Sequence, residues 1–451
     1  MIIIENCAVA TVDPAGTEYS DGHLVLDEGR IVAVGPGHAP RYHRSVRRID
    51  GTGCLATPGL VNTHHHLYQW ATRGMAQQEE LFGWLKELYP VWAGLDAEVV
   101  AATTAAGLGW LALHGCTTST DHHYVHPSGA GDLMAAQVEA ARGVGLRFHP
   151  CRGSMDLGMS AGGLPPDEIV EETDAALAAT EEAIDRYHDP ADDAMLRVAV
   201  APCSPFSVTP ELMTEAAALA RRRGVRLHTH LAETVDEEEY CRQTHGCTPV
   251  EYAERLGWLG PDVWLAHGVH LDDAGLDALA GSGTSVAHCP SSNARLGAGT
   301  ARVRELLDRG VPVGLGVDGP ASQEAGQLGA ELRQALYAAR LRGGAAALTA
   351  RDALALGTIG GARCLGRADQ LGSLQVGKLA DVVLWRLDGL GHVGIDDPVA
   401  ALVLGPPAPV ELSLVGGEPV VDNGELRTAD PGGLARGLRR AHRTLIRRAR
   451  R

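Results

Sequence analysis

Lysine is almost missing from this 451-residue chain: Lys86 and Lys378 are the only two. Any role that needs a lysine amine is confined to those two positions. Long apolar runs are missing too. None approaches the roughly 20 residues that a bilayer-spanning helix needs, which excludes a membrane span. The opening "MIIIENCAV" has a short apolar run, no basic start and an early Glu5, which is not the pattern of a secretory leader. The nine cysteines are odd in number, scattered and without CxxC spacing. They exclude a disulfide framework and read as small core residues of a reduced, cytoplasmic chain. Acid is missing from the tail between Leu434 and Arg451, which holds eight arginines, while the whole chain carries a net charge of −17. The body is therefore more acidic than the total, which disfavours a nucleic-acid partner. In that tail Leu434, Leu438, Leu445, Ile446 and Ala449 fall near helical spacing. A docked amphipathic helix with a solvated basic face is the reading, in preference to an anion- or nucleic-acid-binding arm.

What is present is a globular composition, 45% hydrophobic and 21% charged. "MIIIENCAVATVDPAGTEYSDGHLVLDEGRIVAVGPG" reads as short strands separated by Asp-Pro, Asp-Gly and Glu-Gly turns. The same texture returns in "GSLQVGKLADVVLWRLD" and "ELSLVGGEPVVDNGEL". The two ends are expected to form one composite β-sandwich from residues 1–57 and 369–433, with a basic helix over 434–451. Between them, residues 58–368 alternate β-branched runs with Ala- and Leu-rich stretches. Eight candidate strands end in polar residues: "GLVNTHHH", "CTTSTDHH", "LRFHPCRG", "LRVAVAPCS", "VRLHTHLAE", "VWLAHGVH", "TSVAHCPSS" and "VPVGLGVDG". Eight such units match an α/β fold of the (β/α)8 barrel kind, in which chemistry sits at the C-terminal strand ends.

Strand side chains alternate faces, so in "NTHHHLYQW" His64 and His66 point together and His65 points away, towards packing or a supporting hydrogen bond. Two imidazoles on one strand end form a chelate. "LHTHLAET" adds His228 and His230 on one face with Glu233 just beyond. "LAHGVHL" adds His267 and His270, and "GVDG" adds Asp318 between glycines. Four independent strand ends offering His or Asp point to a metal site rather than to satisfied core histidines.

With these residues in view the chain resembles the amidohydrolase superfamily, in its cytosine/guanine-deaminase-like branch, over nearly its whole length. "PGLVNTHHH", "HLAE", "AHGVH", "GVDG" and "LGSLQVGKLADVVLW" carry the likeness. The resemblance implies His64, His66, His230 and Asp318 as metal ligands, Glu233 as proton shuttle, His267 as a catalytic histidine, and Asp318 also as base. Binuclear relatives bridge two metals with a lysine of the fourth strand. "LRVAVAPCSPFS" has none, and Lys86 and Lys378 lie outside the barrel strands, so one divalent ion is expected, zinc first, with iron(II) or manganese as alternatives. The PCxxC motif of the unrelated zinc deaminases does not occur. The implied reaction is hydrolytic deamination of a small planar amino-heterocycle: Asp318 takes the proton of the attacking water, Glu233 protonates the ring nitrogen, and His267 hydrogen-bonds the incoming oxygen.

Further stretches, "HHHLYQ", "WLKELYPVWA", "TDHHY", "APCSPFSVT" and "HCPSSNARLG", resemble the bacterial 8-oxoguanine deaminases, which implies urate and ammonia as products. Gln69, Trp84, Tyr124 and Arg152 are the candidate substrate contacts. Each has a plainer alternative: Trp84 on a helix core face, for instance, or Arg152 paired with Asp156. His122, His123 and His126 are open in the same way. Trp70, Pro320 and Gln323 depart from the expected pattern near the pocket. "RGSMDLG" and "WRLDGLGHVGIDDP" also resemble the triazine hydrolases, which displace chloride or an amine from an s-triazine; guanine and pterins are further substrate alternatives. A non-catalytic binding protein on the same barrel is the reading from a different class. Relatives imply a homo-oligomer.

Overall fold

A computed structural model describes residues 1–42 and 45–450. From the N-terminal end come β1 (Ile2–Ala10), β2 (Glu18–Asp27), β3 (Arg30–Pro36), β4 (Arg47–Asp50) and β5 (Cys54–Pro58). The next eight strands are β6 (Leu60–Asn62), β7 (Cys116–His123), β8 (Arg147–Ser154), β9 (Ala199–Pro202), β10 (Leu227–Leu231), β11 (Val263–His267), β12 (Ser285–His288) and β13 (Val313–Leu315). The chain closes with β14 (Val382–Arg386), β15 (Val410–Val415), β16 (Glu418–Asp422) and β17 (Glu425–Leu426).

Strands β6 to β13 are parallel neighbours around a closed barrel, sealed where Leu315 of β13 pairs with Asn62 of β6. Each of the eight candidate sequences supplies one strand. Barrel strands are covered on both faces, which is why they read as unbroken apolar runs before their polar ends. Most of the helices between them start on capping side chains such as Asp96, Asp132, Thr209, Thr234, Thr248 and Asp272, each accepting from a backbone N–H of the first turn. The barrel's lower interior is filled by Val61, Cys151, Ala199, Ala201, Trp264, Ala287, Cys364 and Leu365.

The two chain ends meet in one mixed nine-stranded sheet. Its path runs β17-β16-β15-β14-β5-β1-β2-β3, with β4 on β1. Two of its hairpins turn on Gly416-Gly417 and Asn423-Gly424, all with φ between +53° and +82°, the conformation that two-residue hairpins demand. Ile4, Leu24, Leu26, Val382, Leu384 and Leu414 form a separate apolar core on one face of this sheet. The sheet is locked to the barrel by Arg147 of β8, whose Nε and Nη2 reach the two oxygens of Asp381 at 2.9 and 3.0 Å with both groups buried. Removing one member of a buried ion pair leaves the other uncompensated, so Arg147→Met is expected to cost about 3–5 kcal/mol. Denaturant unfolding of the two proteins side by side checks this; an unchanged midpoint would show that the pair carries no net stability.

The basic tail forms the helix Pro431–Ala449, capped by Asp430. Ala441 and Leu445 are buried, while Arg436, Arg439, Arg440, Arg443 and Arg447 face solvent. His442 Nδ1 donates to Ala71 O at 2.7 Å and Arg448 to Gly94 O at 2.7 Å, so the helix is docked as an amphipathic element. Among the described residues no helix is long and apolar enough to cross a membrane.

Candidate metal centre and active site

The polar strand ends converge at the C-terminal mouth of the barrel. His64 and His66 follow β6 with ring centroids 4.7 Å apart. His230 lies in β10, His267 ends β11 and Asp318 lies just past β13. Asp318 and His267 hold φ of +61° and +75°, a left-handed backbone that non-glycine residues seldom take and that clusters at functional sites. A short bridge between His65 and Asp318 ties the first and last barrel strands together at this height.

Hydrogen bonds on the far side of each imidazole fix where its proton sits. His66 Nδ1 donates to His122 O (2.6 Å) and His230 Nδ1 to Cys203 O (2.7 Å). A carbonyl only accepts, so the Nε2 of both rings is a bare lone pair. His228 Nδ1 donates to Trp264 O (2.8 Å), which leaves its Nε2 to accept from His64 Nδ1 (2.8 Å). His64 therefore also turns a bare Nε2 inward, and that buried atom has no hydrogen-bond partner. His66 Nε2 and His230 Nε2 face each other at 3.1 Å, and Asp318 Oδ1 stands 3.4 and 3.3 Å from His64 and His66. Four acceptors meet with no proton between them. Only a cation reconciles that arrangement, and imidazole plus carboxylate is the donor set of a divalent ion of the zinc kind.

Burial holds His64, His122 and His230 well below the usual imidazole range, with neighbouring imidazoles reinforcing it, so each is neutral and able to ligate. His122 belongs to this group. Its Nε2 donates to Ala201 O (2.8 Å), its Nδ1 is buried without a partner, and its ring stacks on His230 at 4.7 Å. Ligand atoms of His64, His122 and His230, and those of His64, His267 and Asp318, lie within 4.8 Å of one another. The sequence left His122 level with His123 and His126, but those two bond to Val125 O and His123 O away from the centre.

Two carboxyls beside the imidazoles are driven in opposite directions. Burial, then the charges of Asp318 and Glu237, push Glu233 well above the usual carboxylate range. Burial alone would raise Asp318 as well, but the adjacent rings of His64 and His66 outweigh it and hold it well below that range. Ser292 Oγ also donates to Asp318 Oδ2 at 2.6 Å. His267 Nδ1 donates to Asn293 Oδ1 (2.9 Å), which leaves its Nε2 facing Glu233 Oε2 at 3.6 Å and Asp318 Oδ2 at 3.9 Å. Glu237 takes the backbone N–H groups of Ala232 and Glu233, each at 2.8 Å, and so fixes the turn that presents Glu233. Sequence reasoning missed Glu237; its signal was the Thr234-x-x-Glu237 spacing of a helix start.

The pocket above these groups is tight, with a cavity volume of about 30 Å³. Gln69, Trp84 and Tyr124 line it, with Leu81, Leu85, Tyr89, Phe206 and Leu296 as an apolar wall. Gln69 Oε1 is buried without a partner. It packs so closely on Gly319 that a Cβ there would lie 1.8 Å from Oε1. Arg152 is not among the lining residues. Its guanidinium is clamped by Glu171 at 2.8 and 2.6 Å, and Asp156, the partner the sequence offered, bonds Thr173 and Thr209 instead. Trp70 also turns out of the site: the 3-10 turn Leu67–Thr72 directs it towards Trp110 and Arg73. Gln323 bonds Glu331 and the backbone of Gly326 rather than facing the pocket.

Comparison with known proteins agrees with this geometry. The amidohydrolase family model matches residues 55–420. The chain is 46% identical to an 8-oxoguanine deaminase of Pseudomonas aeruginosa, over 94% of this chain and 95% of that protein. It is 37% identical to the hydroxydechloroatrazine ethylaminohydrolase of Pseudomonas sp. (strain ADP), over 97% of this chain and 94% of that one. It superimposes with a TM-score of 0.93 on the atrazine chlorohydrolase of Arthrobacter aurescens TC1 complexed with zinc, at 36% identity, covering 98% of this chain and all of that one. Variants of a triazine hydrolase superimpose equally well, at a TM-score of 0.93. These structures correct the expectation that the likeness is to the 8-oxoguanine deaminases in particular: the chain superimposes over nearly its whole length on triazine hydrolases, so the likeness is to the wider family. The chain belongs to the amidohydrolase family, and its site is that of a metal-dependent hydrolase acting on a cyclic amidine.

Proposed function

We propose that this enzyme hydrolytically removes an amino group, as ammonia or an alkylamine, from a ring carbon of an s-triazine. The observation that carries the acid–base part is the opposed pair of carboxyls. Two neighbouring carboxyls whose surroundings drive them apart supply one acid and one base at the same pH. His64, His66, His230 and Asp318 would hold the ion, which when bound supplies a Lewis acid that brings the acidity of water to a pKa of about 7. Asp318 accepts a proton of the attacking water. Glu233, whose burial favours the protonated form, protonates the ring nitrogen beside the carbon under attack. His267 accepts a hydrogen bond from the incoming oxygen through Nε2, held in that tautomer by Asn293. The proton collected by Asp318 leaves with the amine, and the second proton of the water passes from the new hydroxyl to Glu233, which restores the acid.

The pocket supports an aminotriazine over an oxygen-rich purine. Among the described residues no arginine or lysine lines it, and the guanidinium of Arg152 is tied to Glu171. Its apolar wall suits an alkyl substituent on the leaving amine. The structural similarity to triazine hydrolases and the sequence similarity to an ethylaminohydrolase support the same reading. The test is an amine- and chloride-release assay on the zinc-loaded enzyme, over alkylamino- and chloro-s-triazines, aminopterins, guanine and 8-oxoguanine. Amine release from the alkylaminotriazines at the highest kcat/KM is expected. Turnover of a purine or pterin with the triazines inert overturns the substrate assignment and leaves the acid–base roles standing.

A further inference from the structure

The proposed reaction uses the barrel mouth. The barrel floor holds a second cluster of charged groups that it does not use. Arg147 opens β8, Arg197 stands two residues before β9, Arg226 directly precedes β10, and Arg367 follows the last barrel helix, Gly361–Cys364. Arg147 and Arg367 both donate to Ala194 O, at 3.3 and 3.0 Å. Arg367 also donates to Asp192 O (2.9 Å) and Arg197 to Ala191 O (2.9 Å). Backbone carbonyls gather these guanidiniums without cancelling their charge. The Arg226 Cζ lies 5.8 Å from the Trp264 ring centre, and the same ring is 5.7 Å from the His149 imidazole.

The neighbouring carboxylates act on Arg197, Arg226 and Arg367 from a distance, but among the described residues none bonds them. Asp381 takes both contacts of Arg147, and Asp262 pairs with Arg221. Asp192 and Asp189 are exposed, with one bonded to Gln370 and the other to the backbone of Ala191. Five buried nitrogens therefore have no hydrogen-bond partner: Arg197 Nε, Arg226 Nε and Nη2, Arg367 Nε, and His149 Nδ1. Arg367 and His149 are only 3% and 4% exposed. Burial, reinforced by the charges of Arg197, Arg367 and Arg226, keeps His149 neutral and well below its ordinary range. Unpaired buried guanidiniums are costly, and a fork of N–H donors with like charge is what a compact oxyanion satisfies. Arg197 and Arg226 are half-buried, so the cluster opens to solvent on their side.

We propose that the barrel floor is a binding site for a compact oxyanion of the phosphate class, held by Arg197, Arg226, Arg367 and His149. The probe is inorganic phosphate, titrated into the zinc-loaded full chain by calorimetry and followed by thermal melting, with chloride at matched ionic strength as the control. One phosphate per chain and a rise in melting temperature beyond the chloride control are expected. Arg226→Met keeps the packing stem and loses the charge; it is expected to weaken phosphate binding at least tenfold while zinc content and turnover stay at the parental level. Arg226→Lys is expected to recover part of the affinity. His149→Gln, at a second position, is expected to weaken binding as well, which covers the case of a misfolded Arg226→Met. Absence of phosphate binding by the parent overturns the proposal. So does binding of parental strength in the folded Arg226→Met or His149→Gln protein, since that would place the anion elsewhere, at the metal centre included.

Discussion

Replacing Glu233 with glutamine is expected to lower kcat about 10²–10⁴-fold, the usual worth of a positioned general acid, while one zinc per chain stays bound. The substitution preserves shape at a position that is only 4% exposed, and the amide cannot deliver the proton that the ring nitrogen needs. Glu237 continues to hold the backbone N–H groups of Ala232 and Glu233, so the turn survives the exchange. Glu233 lies outside both groups of candidate ligand atoms, with His267 Nε2 3.6 Å from it, so metal content should not move. Single-turnover kinetics with metal analysis of the same sample separate the two roles. Full turnover with zinc present removes Glu233 from the proton path; lost turnover with lost zinc makes it a structural prop of the centre.

Dialysis against a chelator is expected to abolish turnover, and one equivalent of zinc per chain to restore it. The reason lies in the lone pairs. His64 and His66 each turn an unprotonated Nε2 towards Asp318, and the Nε2 of His230 faces that of His66 at 3.1 Å. Their Nδ1 protons are committed to His228 and to the carbonyls of His122 and Cys203, so a stripped site cannot relax by moving a proton without breaking those bonds. The melting temperature should therefore fall with the ion's removal and return with zinc, since a ligand that binds only the folded chain stabilises it by mass action. Unchanged turnover after verified removal of all metal would sink the metal-dependent mechanism. The two experiments are independent, since the first leaves the ion in place and the second leaves every residue intact.

The barrel and the core of its centre were legible because each site residue ends a strand. Period-two alternation splits the His64–His65–His66 run, and the glycines flanking Asp318 mark a backbone that takes a rare conformation. Other features depend on register or on distant partners. His122 and His123 are adjacent and of one type; only the bond from His122 N to His65 O, at 2.7 Å, settles which ring enters the centre. Arg152 ends its strand like a substrate reader, but Glu171, from the loop that follows, captures it. Trp70 sits four residues from His66, and one turn of 3-10 helix carries it out of the pocket. Three of the floor arginines, Arg147, Arg197 and Arg226, stand at or just before strand starts, where a basic residue reads as ordinary solvated charge until the closed barrel sets them side by side.

The mixed sheet has a consequence for the order in which the molecule assembles. β5 shares only Ala8 and Val9 of β1 with Leu55 and Ala56, whereas β14 covers it along five residue pairs, from Val382–Pro58 to Arg386–Cys54. At 5–20 residues per second, a ribosome needs roughly 15–65 s to travel from Pro58 to Val382. Over that interval the first strands wait with an open edge of the kind that invites pairing with another chain. The barrel's own seal, Leu315 of β13 on Asn62 of β6, is completed earlier in the chain than Val382. Catalytic architecture can thus close while β5 still lacks its β14 neighbour, and the last-made strands complete the first-made layer.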